Sequence, residues 1–211
     1  MNRLSEKNKL TGADYLLLLF YVNGVTKDKC EPIEGRTRIT KMMFLFQKEW
    51  FDRIHLSEIS NAEQLQLFEA YNYGPFSNDV HEQLDLFTSI GFLNENRKKI
   101  KTNKDIDFDF ALKSDYDNSE GLDSDWLDSD DGYIMTSYVL TELGANYVEQ
   151  EIIPQLGFHK KNVLTNLTQL KEQMNSTSLN NILSYVYSKY PEFAKKSKIK
   201  EKVLRNGSNK L

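Results

Sequence analysis

Phe68-Glu69-Ala70-Tyr71-Asn72-Tyr73-Gly74-Pro75-Phe76-Ser77 is the stretch that decides the fold. Apolar and polar residues alternate as far as Tyr73 and Gly74-Pro75 breaks the pattern, so a short strand and a turn at Gly74-Pro75 are expected. Ser77 or Asn78 supplies an N-cap, and Val80, Leu84, Phe87 and Ile90 follow at three- and four-residue steps, the apolar face of a helix. Val80 stands three residues after Ser77, so a full capping box is absent. Gly91 stops the helix and Phe92-Leu93 opens another strand.

Upstream, Thr11 with Asp14 three residues later caps a helix expected over 11–26, with Leu16, Leu17, Leu19 and Phe20 on a broad apolar face and Asn23-Gly24 at its end. Pro32 to Gly35 reads as a connector. Ile39, Met42, Met43, Phe46, Trp50 and Ile54 then recur at helical spacing, predicting an amphipathic helix from Arg36 to Arg53. Downstream, Ile106, Phe108 and Phe110 alternate as a strand would, and Tyr133, Ile134, Tyr138 and Val139 mark a second one over 133–140. Thr141 caps a helix to Gln150, Gly157 to Lys161 is a joint, and two more helices cover 162–174 and 178–190. Helix, strand, long connection, strand, helix is the order of a wing followed by a closing helix. The expected class is mainly α with a small antiparallel β-sheet, an α+β fold with a winged-helix-like core and C-terminal helices. The expected division is a helical winged-helix-like domain over 1–157 with an acidic insertion at 105–131, a C-terminal helical hairpin over 158–195 packed on it, and a basic flexible tail over 196–211.

The 211 residues carry a net charge of −4, unevenly laid out. Residues 105–131 hold eleven acidic groups and one lysine, a net −10, which leaves +6 on the remainder. A single cysteine, Cys30, excludes an internal disulfide and a Cys-based zinc site and fits a reducing compartment. The first nine residues are polar, without the apolar run of a signal peptide, and Tyr15 to Val22 falls far short of the roughly 20 residues of a membrane span. A cytoplasmic, non-membrane location is expected.

Four groups of residues stand out. Arg36, Arg38 and Lys41 cluster in the first turns of a helix, where cations oppose the helix dipole unless an anion compensates; a phosphate contact and an internal carboxylate are both open. Tyr71 and Tyr73 beside the turn serve either as a partner platform or as core. Arg97, Lys98 and Lys99 begin a basic run to Lys104, the footprint of a phosphate-gripping wing. Asp123, Asp125 and Asp128 flank Trp126 in the acidic segment, which reads as a solvated insertion, a contact for a basic partner surface, an intramolecular cover over a basic groove or a nucleic-acid mimic. Calcium is disfavoured there because the glycine is misplaced and no bidentate Glu follows at the required distance. His55, His81 and His159 lack a second ligand at i+4, so no metal is expected. Nucleotide-binding glycine loops, serine elbows and supported Cys-His pairs are absent, so neither a cofactor nor an enzyme activity is expected.

Three segments together carry a family resemblance: Gly35-Arg36-Thr37-Arg38-Ile39-Thr40-Lys41-Met42; Tyr71 to Ser77 with the helix to Gly91-Phe92-Leu93; and Tyr138-Val139-Leu140-Thr141-Glu142-Leu143-Gly144. Tyr185-Val186-Tyr187-Ser188-Lys189-Tyr190-Pro191-Glu192 supports them. In this order, over residues 12–192 in outline, the chain resembles the YwgA-like and SocA-like phage-associated proteins of the Panacea antitoxin superfamily. The resemblance implies a compact helical fold with a small sheet and an antitoxin, phage-linked or defence-linked role, with members similar to adaptors that hold a toxin or present it to a protease. It brings no catalytic residues, and the acidic stretch departs from its pattern. The reading is therefore a non-enzymatic macromolecule-binding regulator acting through protein–protein contacts with a toxin, a protease or a phage or defence component. A DNA-binding winged-helix transcriptional regulator is the alternative, and a homodimer is compatible with either.

Overall fold

The computed structural model of the chain describes residues 9–100 and 133–208. Helix α1 (Gly12–Tyr21) opens with the capping box expected of Thr11 and Asp14: Thr11 Oγ1 accepts from the Asp14 amide, and Asp14 accepts from the Thr11 amide at 2.8 Å. Tyr15 through Tyr21 are all buried. A helix apolar all round has no solvent face to offer, so α1 runs through the middle of the fold. Each fully buried leucine contributes about 1.5–3 kcal/mol. The helix stops at Tyr21, earlier than the spacing suggests, where the backbone turns extended at Val22, and Lys171 Nζ satisfies the freed end by donating to the carbonyls of Phe20 (2.8 Å) and Val22 (2.9 Å).

Strand β1 (Ile33–Glu34) leads to helix α2 (Arg36–Leu45), which continues through a π-helical turn, Phe46–Trp50. Ile39, Met42, Met43 and Phe46 face the core as expected, while Trp50 only packs at its edge. A hairpin of β2 (Glu69–Tyr71) and β3 (Gly74–Phe76) separates α2 from α3 (Asn78–Ser89). The turn of that hairpin is Asn72-Tyr73, not Gly74-Pro75: Gly74 pairs with Tyr71 and Pro75 with Ala70. Gly74 is required there by φ = 88°, and an added Cβ would come within 2.5 Å of the Tyr187 ring. Ser77 caps α3 through the Val80 amide. Val80, Leu84 and Phe87 are buried, but Ile90, expected in the core, is 46% exposed because the helix ends at Ser89 and the chain turns at Gly91.

Strands β4 (Leu93–Ile100) and β5 (Tyr133–Leu140) pair antiparallel along their whole length, from Leu93↔Leu140 to Ile100↔Tyr133. β1 adds on the other side of β5, giving sheet order β1-β5-β4. Thr141 caps α4 (Glu142–Tyr147), which passes through a π turn and a 3-10 segment into α5 (Lys160–Ser176) and α6 (Leu179–Lys189). The class is α+β: helices around one small three-stranded antiparallel sheet and one two-stranded hairpin. Leu167, Leu170, Ile182 and Val186 of the C-terminal helices lie in the same buried cluster as α1.

Lys200–Ser208 forms a helix, α7, where the composition suggests a frayed tail. Val203 is fully buried, and Ile199 and Leu204 pack at the core edge, so an apolar stripe overrides the basic composition. No helix among the described residues is long and apolar enough to cross a membrane. The strand expected around Ile106, Phe108 and Phe110 lies outside the described residues.

Candidate functional site

The cations at the start of α2 turn inward. Arg36 Nε donates to Tyr138 Oη at 2.7 Å, its guanidinium pairs with Asp85 of α3, and Tyr138 donates onward to Glu95 at 3.2 Å. One relay thus ties α2, α3, β5 and β4 together. Burial pushes the Tyr138 hydroxyl up to about 12, against the lowering pull of Arg36. Arg38 donates to the carbonyls of Met174 and Thr177, satisfying the C-terminal end of α5. Lys41 is 1% exposed and gives its Nζ to the Pro75 carbonyl at 2.7 Å. Burial brings the Lys41 ammonium down to about 7, and burial together with the Arg36 and Lys41 charges brings His81 down to about 4. The surface phosphate contact that the sequence suggests at Arg36, Arg38 and Lys41 is therefore replaced by internal work, and the carboxylate that compensates Arg36 is Asp85.

The tyrosine platform is divided in the same way. Tyr73 is buried at the hairpin turn, and Tyr71, half-buried, packs its ring on Phe76 at 5.1 Å between centroids. These tyrosines close the core rather than present a surface. Arg97 and Lys98 are exposed on β4, with Arg97 Nε bonded to Glu95 at 2.7 Å; Lys99 belongs to the same strand. Asp123, Asp125, Trp126 and Asp128 lie outside the described residues. Among the described residues no group of three or more His, Cys, Asp or Glu is placed to hold a metal.

What the structure brings to the surface is the outer side of α3. Asp79, Glu82, Leu86 and Ile90 follow one another at three- and four-residue steps, and Leu86 is 53% exposed. Facing α3 runs the segment that follows a 3-10 turn, Ala62–Gln64, with Leu67 80% exposed. Two bonds hold that segment against the helix: the Leu67 amide donates to Asp79 Oδ2 at 2.8 Å, and Gln66 Nε2 donates to Gln83 Oε1 at 2.8 Å. Gln66 also anchors on the Gly12 carbonyl at 2.6 Å, so the floor is fixed to the start of α1. The result is a shallow open groove with Leu65, Leu67 and Leu86 as its apolar lining and Glu63, Asp79 and Glu82 as its charges. No cation lines it.

None of these groove residues was singled out by spacing, yet the sequence contains the signal. From Ile54 to Asn96 there is no lysine or arginine, while Glu58, Glu63, Glu69, Asp79, Glu82, Asp85 and Glu95 fall inside that window. In a chain with 27 basic residues such a gap marks an acidic stretch, the one that supplies the groove's Glu63, Asp79 and Glu82, masked by the louder run at 105–131.

No family model matches the chain, and searches of the curated proteins and of the solved structures likewise give no match.

Proposed function

We propose that the chain is a non-enzymatic regulator that binds another protein, an antitoxin-like or phage- or defence-linked adaptor of the kind its resemblance implies, working in the cytoplasm. One observation carries this reading: the exposed aliphatic side chains of Leu67 and Leu86, with exposed Ile90 one helical turn further on, belong to an acidic groove on α3 that no cation among the described residues lines. Clustered exposed aliphatics rimmed by polar groups mark protein-interaction sites.

The DNA-binding alternative draws support from the element order α1-β1-α2-β2-β3-α3-β4-β5, which follows a winged helix apart from the inserted β2-β3 hairpin, from the sheet order β1-β5-β4, and from the basic residues Arg97, Lys98 and Lys99 on β4. In a winged-helix arrangement α3 takes the place of the helix that enters the major groove. Asp79 and Glu82 there would be repelled by phosphates, so the same comparison favours protein over DNA.

A photo-crosslinking residue at position 86, expressed in the native host, tests the proposal. The expected result is a discrete covalent adduct with a polypeptide, absent when the crosslinker sits at Lys161 on the exposed side of α5. Equal adducts at both positions, or none at either, overturns it. In parallel, a low-salt gel shift with host and phage DNA is expected to show no binding, including after deletion of residues 114–131; a shift abolished by replacing Arg97 and Lys98 would establish the alternative instead.

A further inference from the structure

The groove against α3 mixes carboxylates with aliphatic side chains, and that mixture describes what it would hold. Asp79 and Glu82 lie on the first turns of α3, and Glu63 of the 3-10 turn lines the same groove. Leu67, whose amide bonds Asp79, stands exposed beside them, and Leu86, one turn beyond Glu82, extends the apolar lining toward Ile90 at the end of the helix. The hydrogen bonds of the carboxylates are all to neutral groups: Asp79 accepts from the Leu67 amide and Glu82 from Asn78 Nδ2 at 2.6 Å. Neither is bonded to a cation, and among the described residues no lysine or arginine lines the groove. The floor is rigid, because Gln66 is almost wholly buried and is held by both Gln83 and the Gly12 carbonyl. A preorganised floor reduces the ordering cost of a bound chain.

We infer that this groove takes a basic amphipathic polypeptide segment, one whose lysine or arginine side chains meet Glu63, Asp79 and Glu82 while its aliphatic side chains cover Leu67, Leu86 and Ile90. The inference rests on the protein-binding reading and narrows it to a partner chemistry. Charge complementarity selects against acidic segments, since like charges brought together at an interface are penalised. The aliphatic half selects against purely cationic chains, which would leave Leu67 and Leu86 in water. Nucleic acid is excluded as the occupant of this groove on sign alone.

The test titrates the full chain with three synthetic helix-forming peptides of about 15 residues and reads backbone amide shifts by NMR. The first peptide carries Lys/Arg and Leu on one face; in the second, Glu replaces the cations; in the third, Ser replaces Leu. The expected result is saturable shifts centred on Leu65, Leu67, Gln83 and Leu86 with the first peptide alone. Leu86→Asp and Glu82→Lys should each weaken that binding about tenfold, and raising the salt should weaken it further. Equal binding of the first and third peptides, shifts centred elsewhere on the molecule, or binding unchanged in both variants overturns the inference. An adduct at position 86 in the host combined with no peptide response also overturns it, while leaving the protein-binding reading standing; loss of both results removes the two together.

Discussion

Helices α2 and α3 are neighbours that spend their charges in opposite directions. α2 carries Arg36, Arg38 and Lys41, and all three are consumed within the fold, on Asp85, on the carbonyls that end α5, and on the Pro75 carbonyl. α3 carries Asp79, Glu82 and Asp85, of which only Asp85 is tied into an ion pair with α2. The difference teaches that a conspicuous cluster of charge in a sequence is not yet a site. The α2 cations are structural fasteners between elements distant in sequence, and the charges that α3 leaves exposed have the other sign. Substitutions on α2 and its contacts should thus fall on stability, and those on the outer side of α3 on binding.

The sharpest way to break this contrast is at the hairpin that Lys41 holds. Gly74→Ala forces a side chain into a left-handed conformation and against the buried Tyr187 ring. It should cost about 2–4 kcal/mol, read as a shifted midpoint in urea unfolding; an unchanged midpoint would show that the hairpin is loosely held.

Lys41 gives the next effect, and its sign follows from burial. Its ammonium titrates near 7 in the fold against 10.5 when free, so between those values the unfolded chain binds more protons than the folded one. Stability from this group is therefore fully present above pH 10.5 and is lost as pH falls through 7. Relative to Lys41→Met, which cannot titrate, the native chain should gain about 2–4 kcal/mol between pH 7 and 10. Paired denaturant titrations across that range check it, and parallel pH profiles for the two proteins would contradict the buried-cation account. Lys171, brought down to about 8 mainly by burial, acts in the same direction over a narrower window.

The smallest effect belongs to α3. Leu86→Asp and Glu82→Lys should each change the thermal stability by no more than about 0.5 kcal/mol, since both side chains stand exposed. Calorimetry showing a larger loss would make this side of α3 part of the core and blur the contrast with α2.

The sequence disclosed most of the frame through local signals. Capping pairs such as Thr11 with Asp14, the helical spacing of Ile39, Met42, Met43 and Phe46, and the aromatic, β-branched run of 133–140 each act within a few residues, so they read correctly in isolation. The failures share one cause, tertiary partners remote in sequence. Gly74-Pro75 looks like a turn until Ala70 and Tyr71 pair with it, and Lys41 looks like a surface cation until Pro75 presents its carbonyl. Lys195 to Leu211 looks frayed, yet Val203 finds the core and the Lys198 amide bonds the Asn72 carbonyl at 2.9 Å. The groove is hidden in the sequence for a different reason: its signal is a lack of lysine and arginine over a long window, which apolar spacing and charge clusters do not register.

The register of β4 with β5 has a consequence for how this chain can vary. Ile100 and Tyr133 sit opposite each other at the end of an unbroken ladder, so whatever joins them leaves and re-enters the body at adjacent points. Loop-closure cost rises only about 0.6 kcal/mol per doubling of length. At the end of this ladder a change in the length of what joins Ile100 to Tyr133 should therefore cost little stability and leave the groove on α3 in shape.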